Sequence, residues 1–149
     1  MVMHSQSAEI LQSILKEMEA AIARIEAIIP LEQEAINQLN AEELHKLMEK
    51  RKLIWLELKD CKSQCQLMFI QYDMPEESDL SLFVDTHLTE DAVALHKQRE
   101  ELNQRIVCIS EKNELNAIRL RAASEAISET LQGIGLLKVK TTYGRDGMM

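Results

Sequence analysis

Aromatic residues are nearly missing: one Trp, two Tyr and two Phe make up 3% of 149 residues. Turn-formers are as scarce, with four Gly and two Pro, too few for the many tight turns of a sandwich or barrel. Three cysteines, an odd number, do not make a disulfide framework, so reduced thiols and a cytosolic location are expected. No apolar run approaches the ~20 residues that span a bilayer, so no membrane insertion is expected. Met1–Gln6 shows no basic stretch leading into an apolar core, so no secretory signal is expected. Basic residues are in deficit, 17 against 25 acids for a net charge of −8, which opposes a phosphate-binding surface and hence a nucleic-acid partner. Neither a Gly-rich phosphate loop nor a nucleophile elbow is present, so no enzyme and no cofactor are expected.

What is present is 46% hydrophobic and 28% charged residues, enough for the core of one domain. Straight-chain residues dominate, and these lose little rotamer freedom in a helix. The glycines all come late, at 133, 135, 144 and 147, and the prolines stand at 30 and 75. Long stretches without a breaker and with helical periodicity predict an all-α fold, an elongated antiparallel three-helix bundle of coiled-coil character.

The first helix is expected over about 6–39. Leu11, Ile14, Leu15, Met18, Ile22, Ile25, Ile28, Ile29, Ile36 and Leu39 recur at steps of three and four. Pro30 removes a hydrogen bond at ~3 kcal/mol. The pattern resumes at once with Leu31-Glu32-Gln33-Glu34, so a kink is predicted there. Asn40, with Glu43 three residues on, is a cap for a second helix over 41–72. Its apolar stripe runs through Leu44, Leu47, Met48, Ile54, Trp55, Leu58, Cys61, Cys65, Met68, Phe69 and Tyr72.

Residues 73–91 hold seven acids and no Lys or Arg. Leu80, Leu82, Phe83 and Val84 predict a short extra helix near 79–84 that plugs the bundle end. Thr89 is read as the cap of a third helix over 89–132. Its stripe passes through Leu95, Leu102, Ile106, Ile109, Asn113, Asn116, Leu120, Ala123, Ile127 and Leu131, and Gly133 and Gly135 stop it. The bundle domain is thus expected to fill 1–137, with 138–149 a flexible tail. At ~1.5 Å per residue the third helix outruns its partners by ~18 Å. Its end, with Ile127, Leu131 and Ile134, is left without neighbours, and uncovered apolar surface of this kind marks a partner site.

Metal chemistry finds little support. Glu42-x-x-His45 has the spacing used by di-iron bundles, but the second copy such a site needs is missing. His87 and His96 beside Glu90 and Asp91 have nothing to fix a geometry. Cys61 and Cys65 lie one turn apart on an apolar face and read as small buried hydrophobes. Trp55 reads as a core or groove residue. Asn113 and Asn116 fall where Leu or Ile belongs. Such a residue either fixes register with a neighbouring helix or bonds a bound client.

One further set of features is distinctive. Leu31-Glu32-Gln33-Glu34 leads through Asn37-Gln38-Leu39-Asn40 into Glu43-Leu44 and the run Met48-Glu49-Lys50-Arg51-Lys52. Asn113-x-x-Asn116 is then followed by Tyr143-Gly144-Arg145-Asp146-Gly147. Over nearly its whole length the chain resembles the FlgN family of flagellar export chaperones.

That resemblance implies a cytoplasmic type III secretion chaperone. Such a protein binds the C-terminal segments of flagellar hook-associated (hook–filament junction) proteins, prevents their premature assembly and delivers them to the export gate. The client segment would dock as an amphipathic helix, against the C-terminal part of the chaperone. With the exposed stripe, this makes Asn113, Asn116, Leu120, Ile127, Leu131 and Ile134 the client-binding candidates, and Tyr143 the candidate contact with the export gate. Burying one such side chain contributes about 1.5–3 kcal/mol, so a few suffice for micromolar affinity. The other reading is a structural coiled coil or self-assembling bundle, a homodimer or a type III stalk component, that has no client.

Overall fold

The computed structural model describes residues 2–135, the first four of them as backbone only. Among these residues four α-helices form an all-α bundle: α1 (Val2–Asn37), α2 (Ala41–Gln71), α3 (Leu80–His87) and α4 (Ala92–Gly133). A single 3-10 turn, Thr89–Asp91, joins α3 to α4. The described residues contain no strand. The tail expected over 138–149, and Tyr143 within it, lie outside the described residues.

α1 is the central helix: α2 and α4 pack along it rather than on each other. Its sequence explains this. Leu11, Ile14, Leu15, Ala21, Ile22, Ile25, Ile28 and Ile29 are all buried, a stripe broad enough to serve two neighbours. The outer helices offer narrower seams. In α2, Leu47, Ile54, Cys61 and Met68 are buried, and in α4, Leu95, Leu102, Ile109 and Asn116. Both sets recur every seven residues, the spacing of a single coiled-coil seam.

Cross-links set the directions. Glu32 pairs with Arg51 and Arg24 with Glu57, so α2 runs antiparallel to α1. Arg105 Nε and an Arg105 terminal nitrogen donate to Glu26 at 3.0 and 2.6 Å, and Asn116 Nδ2 donates to the Ile29 carbonyl at 3.3 Å. Both of these ascend together, so α4 runs parallel to α1. The Arg105 hydrogen bond holds the Glu26 carboxyl below the usual carboxylate range.

α1 is continuous across Pro30, which rules out a stop and restart there. It begins earlier than residue 6 and ends at Asn37 rather than 39. The early end has a physical cause. Leu39 adopts a left-handed φ of 55°, while its N–H donates to the Ile36 carbonyl and that of Asn40 to the Ala35 carbonyl. That pair of bonds is a Schellman motif with leucine where glycine is usual. Asp73 closes α2 in the same way, with φ 59° and the Met74 N–H on the Phe69 carbonyl. Relieving the strain at Leu39 is expected to stabilise the fold: Leu39→Gly raises stability by about 1 kcal/mol, read as a higher Tm. The Asn40 side chain caps α2, accepting from the Glu43 N–H at 3.1 Å.

Two expectations for the connection are corrected. The short helix is α3, extending to His87 rather than stopping at 84, and Asp79 caps it by accepting from the Ser81 N–H at 2.8 Å. Phe83 and Val84 are buried, and the Phe83 ring lies 5.7 Å from Phe69 and 5.1 Å, edge-on, from Tyr72. Thr89 is not a cap: α4 starts at Ala92 and the 3-10 turn before it has no side-chain cap. Leu88, wholly buried, sets the chain direction instead of a hydroxyl.

Candidate functional site

Because α2 and α4 each spend one seam on α1, their remaining apolar positions face elsewhere. Along one side these positions face each other across α1. Three concavities lie between the two helices, of about 560, 190 and 170 Å³.

The widest is at the α3 end, where Met18 of α1 lies between Trp55 and Leu58 of α2 and Ile106 of α4. Glu76, Glu77 and Ser78 of the acidic connection close its end, with Lys62 on the α2 wall. The middle one is lined by Leu44, Met48 and Arg51 of α2 and by Asn113, Asn116, Ala117 and Leu120 of α4. Glu32 and Ile36 of α1 line it as well. The last, at the α1–α2 turn, is lined by Ile36, Leu39, Leu44, Leu120, Ala123 and Ile127 and, among the described residues, by no charged one. The middle and last share Ile36, Leu44 and Leu120, and the widest begins at Trp55, one turn along α2 from Arg51, so the three form one row along α2, a groove several helical turns long.

The charged groups at the middle are already paired. Arg51 Nε donates to Glu32 Oε2 at 3.0 Å and a second guanidinium nitrogen donates to the other oxygen. Side-chain exposure is 16% for Arg51 and 7% for Glu32, so the pair is largely withdrawn from water. Asn116 is buried, with its amide turned inward to Ile29, and its oxygen accepts from Arg119 at 2.9 Å. Of the two readings open for Asn116, the internal one is what the geometry provides. Asn113 is half-buried on the groove wall.

Leu120 and Ile127, at 41% and 43% exposure, stand on the α4 wall facing Ile36 and Leu44. Leu131 and Ile134 are not brought into the groove. Leu131 is half-buried on the last turns of α4, and Ile134 lies past the helix end at 65% exposure. No residue of α4 after Asn116 is buried, so the far end of the helix stands free of the seam.

The sequence reading treats the α2 stripe as one face and offers only Trp55 of it as a groove residue. Met48 and Trp55, about half-exposed, face the groove, while Leu44 and Leu58 line it and also pack against the core. The signal was available: 47, 54, 61 and 68 form a strict seven-residue series, and Met48 and Trp55 each follow a member of it by one residue, a rotation of ~100° about the helix axis.

Among the described residues no group of three or more His, Cys, Asp or Glu stands together as a metal site. His96 Nε2 instead meets Asp85 at 2.7 Å, tying α4 to α3. No described helix is long and apolar enough to cross a membrane. Cys61 and Cys65 are buried and Cys108 is exposed. Burial, then the neighbouring Cys61, pushes the Cys65 thiol up to about 11. A thiol with a raised folded pKa stays protonated, so stability falls as pH rises from the ordinary thiol range toward 11. At neutral pH, native protein treated with an alkylating reagent is expected to modify at Cys108 alone; mass spectrometry showing rapid labelling of Cys65 would mean that α2 opens from α1.

A family model described as FlgN protein matches residues 1–149, the whole chain. No curated protein and no solved structure matches it.

Proposed function

The chain belongs to the FlgN family, whose role is that of a flagellar export chaperone, and from this premise we propose that the α2–α4 groove is its client site. The client is the C-terminal segment of a hook–filament junction protein, bound in the cytoplasm as an amphipathic helix before export. Occupying that segment keeps the subunit from assembling early.

The carrying observation is the groove itself. Apolar side chains of two helices face each other across a third, and among the described residues no further helix lies between them. Four-helix bundles place a helix in that position, and helix-in-groove recognition supplies one from a partner. The docked helix would bury Trp55, Met48, Leu120 and Ile127 together, leaving the Leu131–Ile134 end for the client's flanking chain. Delivery to the export gate is assigned to Tyr143 on the family resemblance. A Tyr143→Ala variant that binds client and still supports full junction-protein secretion would remove that assignment.

The groove is tested by hydrogen exchange on the full chain, with and without a synthetic C-terminal peptide of a junction protein from the same genome. Expected is slowed exchange in 44–58 and 106–127 on adding peptide. Protection of 113–134 that grows with protein concentration and ignores the peptide would instead mean that a second copy fills the groove, the self-assembling alternative.

A further inference from the structure

The groove is polar along its length in a way that selects its occupant. At the α3 end it is closed by Glu76 and Glu77, exposed carboxylates within a connection, 73–91, that contains seven acids and no Lys or Arg. Among the described residues Lys62 is the single cation on that concavity, so carboxylates outnumber it. At the middle, Arg51 and Glu32 neutralise each other. At the α1–α2 turn the lining is uncharged among the described residues.

We infer that the groove accepts an amphipathic helix with one basic end, seated so that its Lys or Arg residues lie by Glu76 and Glu77 and its uncharged end lies between Leu39 and Ile127. This rests on the client-site reading above and adds the chemistry and seating of the occupant. Three observations combine. The apolar walls call for an apolar helix face. The acidic end calls for cations there, where exposed charges steer and orient a partner. The uncharged far end penalises a desolvated charge. The net charge of −8 adds a long-range pull on a cationic partner.

The probes are two designed amphipathic helical peptides with the same Leu/Ala face, one with a Lys pair before its first turn, the other with the pair after its last. Each carries a spin label at the lysine end. Leu58 and Leu44 are ~21 Å apart along α2, far enough for a label to distinguish the groove ends. Expected is that both peptides broaden the Leu58 and Leu80 methyl signals and spare Leu44 and Leu120, the two peptides lying in opposite chain directions. Glu76→Lys with Glu77→Lys is expected to weaken both peptides by about three- to tenfold at low salt and by little at high salt. Broadening at the Leu44–Leu120 end, equal broadening at both, unchanged affinity in the reversed variant, or no binding by either peptide overturns the inference. The client-site reading is judged separately: loss of junction-protein binding on changing Leu120 and Ile127 keeps it standing even when the seating fails.

Discussion

Leu120→Asp combined with Ile127→Asp is expected to abolish client binding and to leave the helix content of the free chain nearly unchanged. Both residues are half-exposed on the groove wall, beyond the last seam residue of α4. Each contributes about 1.5–3 kcal/mol when a client helix covers it. Losing two such contacts costs about 3–6 kcal/mol, a factor of roughly 10² to 10⁴ in affinity, before counting carboxylates pressed against an apolar partner. The cost to folding is small by comparison, since aspartate in an exposed helix costs about 0.5–0.7 kcal/mol relative to the best formers. Val93→Asp is the control: that side chain is 87% exposed on the first turn of α4 and lines none of the concavities, so affinity stays at wild type. Circular dichroism and titration calorimetry on the same samples separate the outcomes. A collapse of helix content in the double variant would place both residues in the core and remove the site.

That expectation comes from the sequence in part. The exposed end of α4 follows in part from helix lengths, because α4 is the longest helix, and its last buried residue, Asn116, already lies beside Ile29, near the end of α1. The capping of α2 by Asn40 and the burial of Phe83 and Val84 are equally local signals, a side-chain oxygen before a helix and an apolar run between acids. What stayed hidden depends on how many neighbours each helix has. A stripe read from periodicity names the apolar positions without dividing them between a seam and an open wall. Thus Leu47 and Met48 looked alike, yet one is packed against α1 and the other faces the groove. Leu39 was hidden for another reason. A left-handed helix end without glycine has no sequence mark, since the strain is borne by contacts elsewhere. The Arg51–Glu32 pair was hidden because Arg51 sits in the charged run Glu49-Lys50-Arg51-Lys52 and Glu32 two residues from the exposed Glu34, and only the packing of α2 on α1 distinguishes these two.

That pair carries the second large effect. Glu32→Ala is expected to lower stability by about 3–5 kcal/mol, because the change strands a guanidinium with 16% exposure and nothing opposite it. Arg24→Ala, which breaks a pair about half-exposed on both sides, is expected to cost under about 1 kcal/mol. The contrast isolates burial from pairing, since both are Arg–Glu contacts between α1 and α2. Replacing both partners with apolar residues, Glu32→Leu with Arg51→Met, is expected to recover most of the loss, because it removes the desolvation penalty with the attraction. The groove gives the double variant its second readout. Arg51 and Glu32 line the middle concavity, where a docked helix would cover them, so the apolar pair extends the greasy floor between Trp55 and Leu120. A recovered Tm with weaker binding of the junction-protein segment would mean that the pair fixes the spacing of α2 over α1 for the client. A recovered Tm with stronger, less selective binding would mean that its task is to keep unrelated apolar helices out. Urea unfolding settles the first half: a Glu32→Ala loss below about 1 kcal/mol would show that water reaches the pair and that the groove floor is open.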